Sequence, residues 1–160
     1  MPDPLIGAVI EDPRWNDVGL EAIAERAARA ALEAEGRDPD RHEVSLLGCD
    51  DARIAVLNGS FRGAAKATNV LSWPAFDDVV PDPDPGEPLF LGDIAIAFDT
   101  CLREAEAAGI TLADHTAHLV VHGVLHLLGH DHIEDGDAEA MEEIETNVLA
   151  SMGIANPYLG

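Results

Sequence analysis

The stretch that decides the reading runs from Leu112 to His132: LADHTAHLVVHGVLHLLGHDH. Residues four apart on an α-helix lie one turn above each other on one face, with roughly 6 Å between their side-chain bases. His122 and His126 can therefore aim two imidazoles at one point. Thr111 is a capping residue ahead of the run, and Gly129 suits a left-handed stop after it. A chain that reverses at Gly129 can bring His132 back as a third ligand. Three nitrogen ligands leave a tetrahedral position open for water, which is the pattern of a catalytic zinc site.

The H-x3-H-x5-H spacing, with glycine three residues after the second histidine, equals that of the metzincin protease motif. Metzincins place a glutamate immediately after the first histidine as general base, and this chain has Gly123 there. Glycine accepts no proton, so a peptidase mechanism of that kind lacks its base. One histidine on an apolar helix face is ordinarily a core residue; three at ligand spacing, closed by the right glycine, point to a metal. His130 competes with His132 for the third place, and the ten-residue span favours His132. His115 and His118 read as helix-surface residues or as partners of a ligand, and Asp131, Glu134 and Asp135 as imidazole-orienting or simply solvated acids. The sequence infers zinc rather than fixing it, since imidazole sites also take nickel, copper or iron.

Outward from this helix, strands and helices interleave. Leu5–Ile10 and Glu43–Cys49 read as strands around a helix that starts at Asn16 or Asp17 and ends at Gly36, with Leu20, Ile23, Ala24, Ala27 and Ala31 as its buried stripe. Asp50 or Asp51 caps a helix through Leu57, and Val70–Trp73 is a short strand stopped by Pro74. Residues 77–88 hold four prolines among acids and read as a flexible, solvated loop. Leu91–Phe98 alternates as a strand, and Asp99 or Thr100 caps a helix to Gly109. A last acidic helix runs from about Gly136 to Met152, with Met141, Ile144, Val148 and Leu149 inward. The expected class is α/β or α+β with one mixed sheet, in a single domain covering residues 1–160.

Composition narrows the function. Hydrophobic residues make up 47% and charged residues 25%, as in a soluble globular protein. No basic leader with an apolar core is visible, and runs such as Leu119–Val121 fall far short of a membrane span, so a cytoplasmic protein is expected. Cys49 and Cys101 sit in no CxxC pair and read as reduced, buried thiols. Nine Lys and Arg face 31 Asp and Glu, a formal charge of -22. Such a surface repels polyanions, so nucleic-acid chemistry here requires a local positive site, a metal, or a partner that presents the strand.

With these motifs in hand, the chain resembles the YbeY family of bacterial endoribonucleases. The family signature HGxLHLxGxDH is reproduced from His122 to His132. A second segment also matches: Leu57-Asn58, Phe61-Arg62-Gly63, Lys66, Thr68 and Val70-Leu71-Ser72, closing at Pro74, while Leu91-Gly92-Asp93-Ile94 resembles the family's LGDI strand. The resemblance implies a mixed four-stranded sheet surrounded by helices, and one zinc ion on His122, His126 and His132. It implies cleavage of single-stranded RNA, with roles at the small ribosomal subunit in maturing the rRNA 3′ end and in quality control; neither DNA nor a membrane is an expected partner. The family's functional arginine falls on Arg62, which suits phosphate as a planar bidentate donor, with Lys66 beside it in sequence. Where the family carries a second basic residue and a proline, this chain has Ala64 and Ala67, and Trp73 stands where phenylalanine is common. Asp93 is the one acid offered as a loose general-base candidate, against a structural role at a turn or strand end. Two rivals stand: a zinc peptidase or other zinc hydrolase, disfavoured by Gly123, and a non-catalytic ribosome-assembly factor with structural zinc, which the acidic surface favours.

Overall fold

A strand that is apolar on both of its faces has to be covered on both, and Leu89–Ala97 is such a strand: Leu91, Ile94, Ala95, Ile96 and Ala97 are all buried. The computed structural model describes residues 5–62, 68–76, 79–130 and 135–157, leaving the side chains at 60–62 and 135–138 outside that description. One sheet forms from β1 (Ile6–Ile10), β2 (His42–Cys49), β3 (Val70–Pro74) and β4 (Leu89–Ala97), in spatial order β1-β2-β4-β3. β1 pairs parallel with β2 and β2 parallel with β4, while β3 closes the edge antiparallel to β4, with Val70 opposite Ile96 and Pro74 opposite Gly92. Parallel neighbours cannot be joined by a tight turn, so the crossovers carry helices. The described helices are α1 (Arg14–Val18), α2 (Leu20–Ala34), α3 (Asp51–Arg62), α4 (Phe98–Ala108), α5 (Leu112–Leu127) and α6 (Asp135–Ser151). The chain is thus a single α/β domain with a mixed four-stranded sheet and six helices among the described residues, as the sequence predicts. None of these helices is long and apolar enough to cross a membrane.

The main core lies between one sheet face and α2, α5 and α6. Its sheet side is Val44, Leu46, Leu91, Ile94 and Ile96, and the alanine stripe of α2 (Ala24, Ala27, Ala28, Ala31) packs against α5. α5 is buried around most of its circumference, with Leu119, Val120, Val121, Val124, Leu125 and Leu127 all in the core. That is the burial expected of a helix with so few polar residues in its second half. The opposite sheet face carries a smaller cluster of Cys49, Ile54, Leu71, Ala95 and Ala97 beneath α3. Burial pushes the Cys49 thiol up to about 12 and Cys101 higher still, so both are inert structural groups.

Three local expectations need correction, one of them the end of α3, which runs past Leu57 to Arg62. The first long helix does not start at Asn16 or Asp17: α1 begins at Arg14 and is split from α2 at Gly19, whose φ of 81° breaks the helical hydrogen-bond run. Neither Asp99 nor Thr100 caps α4 from within. Asp51 of α3 instead accepts the Thr100 backbone N–H at 3.0 Å, and Asp99 accepts the Asp51 backbone N–H at 3.2 Å. The two helix starts cap each other because they meet side by side at the ends of β2 and β4.

The acidic proline-rich segment is tied to the connection between α2 and β2. Arg37 donates to the Val80 and Pro81 carbonyls at 2.9 and 3.2 Å, and Arg41 donates to Asp84 at 2.8 Å. His42 sits behind these arginines, 3% exposed, with Nδ1 on the Asp38 carbonyl at 2.8 Å and Nε2 taking an Arg37 N–H at 3.3 Å. Burial and the neighbouring guanidiniums depress the proton affinity of His42, which therefore favours the neutral ring when folded. The unfolded chain binds this proton near the ordinary imidazole value of 6.5 while the folded chain resists it, so stability is intact above that pH and falls as pH drops below it. Replacing His42 with glutamine should flatten this part of the acid-induced loss. Thermal melts of both proteins from pH 7.5 down to about pH 5 check it, and identical slopes would refute it.

Candidate metal centre

α5 starts and stops as its sequence dictates. Thr111 Oγ1 accepts the Asp114 backbone N–H at 3.1 Å. At the other end Gly129 takes a φ of 101°, Gly129 N–H reaches the His126 carbonyl and His130 N–H reaches the Leu125 carbonyl, each at 3.0 Å. These two bonds form a Schellman closure, which turns the chain back on the last turn of the helix.

On that last stretch His122 and His126 face each other, their Nε2 atoms 3.1 Å apart and their rings edge to face at 74°. Two nitrogens each at roughly 2.0–2.1 Å from a tetrahedral zinc ion are separated by about 3.3 Å, so the pair has the spacing one ion requires. Among the described residues, no group of three or more His, Cys, Asp or Glu side chains converges as a metal site. The expected third ligand, His132, lies outside the described residues, as do Asp131, Glu134 and Lys66. His130, the competitor for the third place, has its Nε2 on the Glu35 carboxylate at the end of α2.

A cleft of about 300 Å³ opens beside the pair, walled by Asn58 of α3, by Thr68 to Ser72 including the start of β3, and by His122 and His126. Its lining mixes the hydrogen-bonding side chains of Asn58, Thr68, Asn69 and Ser72 with Val70 and Leu71, and Asn58 is only 7% exposed. Arg62 is the last residue of α3, four residues beyond Asn58 in the chain; its side chain is outside the described residues. Asp93 is not brought to this cleft. Alternation along β4 turns Ile94 toward α5 and Asp93 toward the other sheet face, where it lines a groove of about 520 Å³ with Glu11, Arg53 and Trp73. Gly123 is buried, and a Cβ there would stand 2.9 Å from Ile94 Cδ1. The position that holds the metzincin base is thus filled by the sheet.

The remaining helix histidines are engaged by acids. His115 donates to Glu104 at 2.8 Å, and His118 Nε2 donates to Glu145 at 2.6 Å. Glu145 also accepts from His122 Nδ1 at 2.9 Å, and its side chain is 1% exposed. Sequence reasoning missed Glu145. The signal was its place in the inward stripe Met141, Glu145, Val148, Leu149, where an acid among apolar residues demands a buried partner. The cations, meanwhile, are largely consumed: Arg14, Arg29, Arg53 and Arg103 pair with carboxylates, and Arg37 and Arg41 hold loop carbonyls.

Fold and site together define a class: an α/β domain whose central helix offers a convergent histidine pair to a cleft at a sheet edge. The sequence profile of the family "Endoribonuclease YbeY" matches residues 10–153. Proteins of that description from Paracoccus denitrificans and Ruegeria pomeroyi are each 54% identical over 158 residues, covering 96% and 93% of this chain and 90% and 94% of their own. The solution structure of a Thermotoga maritima protein superposes with a TM-score of 0.62 at 23% identity, over 90% of this chain and 86% of that one, a likeness of fold. The chain belongs to the endoribonuclease YbeY family.

Proposed function

We propose that this protein is a metal-dependent endoribonuclease that cuts single-stranded RNA, acting in the cytoplasm at the small ribosomal subunit in rRNA 3′-end maturation and quality control. The observation that carries the reading is the 3.1 Å approach of the His122 and His126 Nε2 atoms beside a cleft lined in part by Asn58, Asn69 and Ser72. His122, His126 and His132 would hold one zinc ion. The chemistry such an ion supplies when bound is polarisation of a phosphoryl oxygen and acidification of water. Arg62, with Lys66, neutralises the phosphate, and Asn58 and the β3 edge hold the adjoining nucleoside by hydrogen bonds. With most other arginines already paired, capture of RNA falls to a partner, and the ribosomal subunit that carries the substrate is the natural one.

The test incubates wild-type and Arg62→Ala protein with single-stranded RNA and with casein, with and without chelator. RNA should be cut only in the absence of chelator, and Arg62→Ala should slow cutting by roughly 10²–10³-fold, the usual cost of losing one donor to developing charge. Cleavage that survives chelation sinks the mechanism. Casein cleavage revives the peptidase reading, and zinc binding without cleavage of free or ribosome-bound RNA favours the non-catalytic assembly factor.

A further inference from the structure

Glu145 is the most deeply buried carboxylate among the described residues, and it belongs to neither the core nor the cleft. It projects from α6 between Met141 and Leu149, both fully buried, where packing alone would select an apolar side chain. A buried charge needs partners to offset its lost hydration. Among the described residues they include two imidazoles from adjacent turns of α5, His118 on one oxygen at 2.6 Å and His122 on the other at 2.9 Å.

We infer that Glu145 is a positioning residue that sets the tautomer and ring orientation of His122 so that its Nε2 lone pair faces His126. A neutral imidazole carries one proton, and the nitrogen without it is the one able to coordinate a metal. An ionised carboxylate only accepts hydrogen bonds, so contact with Glu145 places the His122 proton on Nδ1. Nε2 is left with its lone pair, directed at the point where the His126 nitrogen converges. His118 grips the other oxygen and fixes the carboxylate. α6 thereby couples to the metal centre through a hydrogen bond to one of its expected ligands. This inference rests on the metal reading above, yet its first consequence, the tautomer, exists in the metal-free protein.

The test uses full-length wild-type, Glu145→Gln and Glu145→Leu proteins. Imidazole nitrogen NMR of the metal-free wild type should show His122 protonated on Nδ1. Zinc affinity, read by competition with a chromophoric chelator, should fall roughly 10- to 100-fold in Glu145→Leu, as for lost hydrogen-bond partners of ligating histidines. Glu145→Gln should lie between, because its amide offers one acceptor oxygen to two N–H groups. A wild-type His122 protonated on Nε2 overturns the assignment with no variant needed, which covers a Leu variant that fails to fold. A folded Glu145→Leu whose zinc affinity stays within about twofold of wild type also overturns it, against the tenfold minimum expected. A wild type that shows the Nδ1 tautomer but binds no zinc sinks the metal reading instead.

Discussion

His126→Ala is expected to abolish RNA cleavage while leaving the fold intact. The substitution removes one of the two nitrogens that meet 3.1 Å apart, and the remaining pair of expected ligands cannot hold an ion as three do. The loss should exceed the roughly 10- to 100-fold that an outer hydrogen-bond partner costs a metal site. Stability should change far less. His126 is only half-buried at the cleft wall, whereas its neighbours Val124, Leu125 and Leu127 carry the core contacts of α5 and stay in place. Single-stranded RNA cleavage and zinc stoichiometry, each measured beside far-ultraviolet circular dichroism, check the expectation. Residual cleavage near the wild-type rate would remove the histidine pair from the chemistry, and a collapse of the dichroism would make the metal structural.

The histidine pair was legible because its geometry is local. Four residues of helix fix the relation of His122 to His126, and Thr111 and Gly129 mark the helix ends in the sequence itself. Fold class was legible for the same reason, since each strand and helix announces its period over a few residues. What escaped depends on contacts between distant segments. Asp51 and Thr100 are 49 residues apart, and nothing in either helix start reveals that one caps the other. Glu145 and His122 are 23 apart, so the acid in the α6 stripe is an anomaly that names no partner. Asp93 was only a loose candidate for the base, set against a role at a turn or strand end, and the register of β4, with Ile94 against α5, shows that it faces the other side of the sheet. The abundance of acid misleads less once pairing is visible. Arg14, for one, is shared by Asp12 and Asp99, holds both carboxyls below the usual range and lies 4.3 Å over the Phe98 ring, so its charge is already balanced locally.

Gly92→Ala should be strongly destabilising for a single added methyl, and it should weaken the site as well. Gly92 sits on β4 at the irregularity where Val44 of β2 pairs with it, one β4 residue being passed over between Glu43 and Val44. Its φ of 143° is one that side-chain-bearing residues rarely adopt. A Cβ there would run into the Trp73 carbonyl oxygen, a backbone atom that cannot turn aside, and would stand 2.8 Å from Leu127 Cδ2. Strain of this kind costs about 1–3 kcal/mol, and displacing packed neighbours adds about 1–3 kcal/mol more. For a domain of this size each kcal/mol lowers the melting temperature by roughly 2–4 °C, so a drop on the order of 10 °C is expected. The side chain pushed first is Leu127, next to His126, and the backbone pushed first is that of β3, which walls the cleft. Zinc affinity should therefore fall at temperatures where the variant is still folded. A melting temperature within a degree or two of wild type would mean that β3 can yield at Trp73. In that event the β3–β4 edge is softer than its antiparallel register suggests, and the cleft is not held rigid from that side.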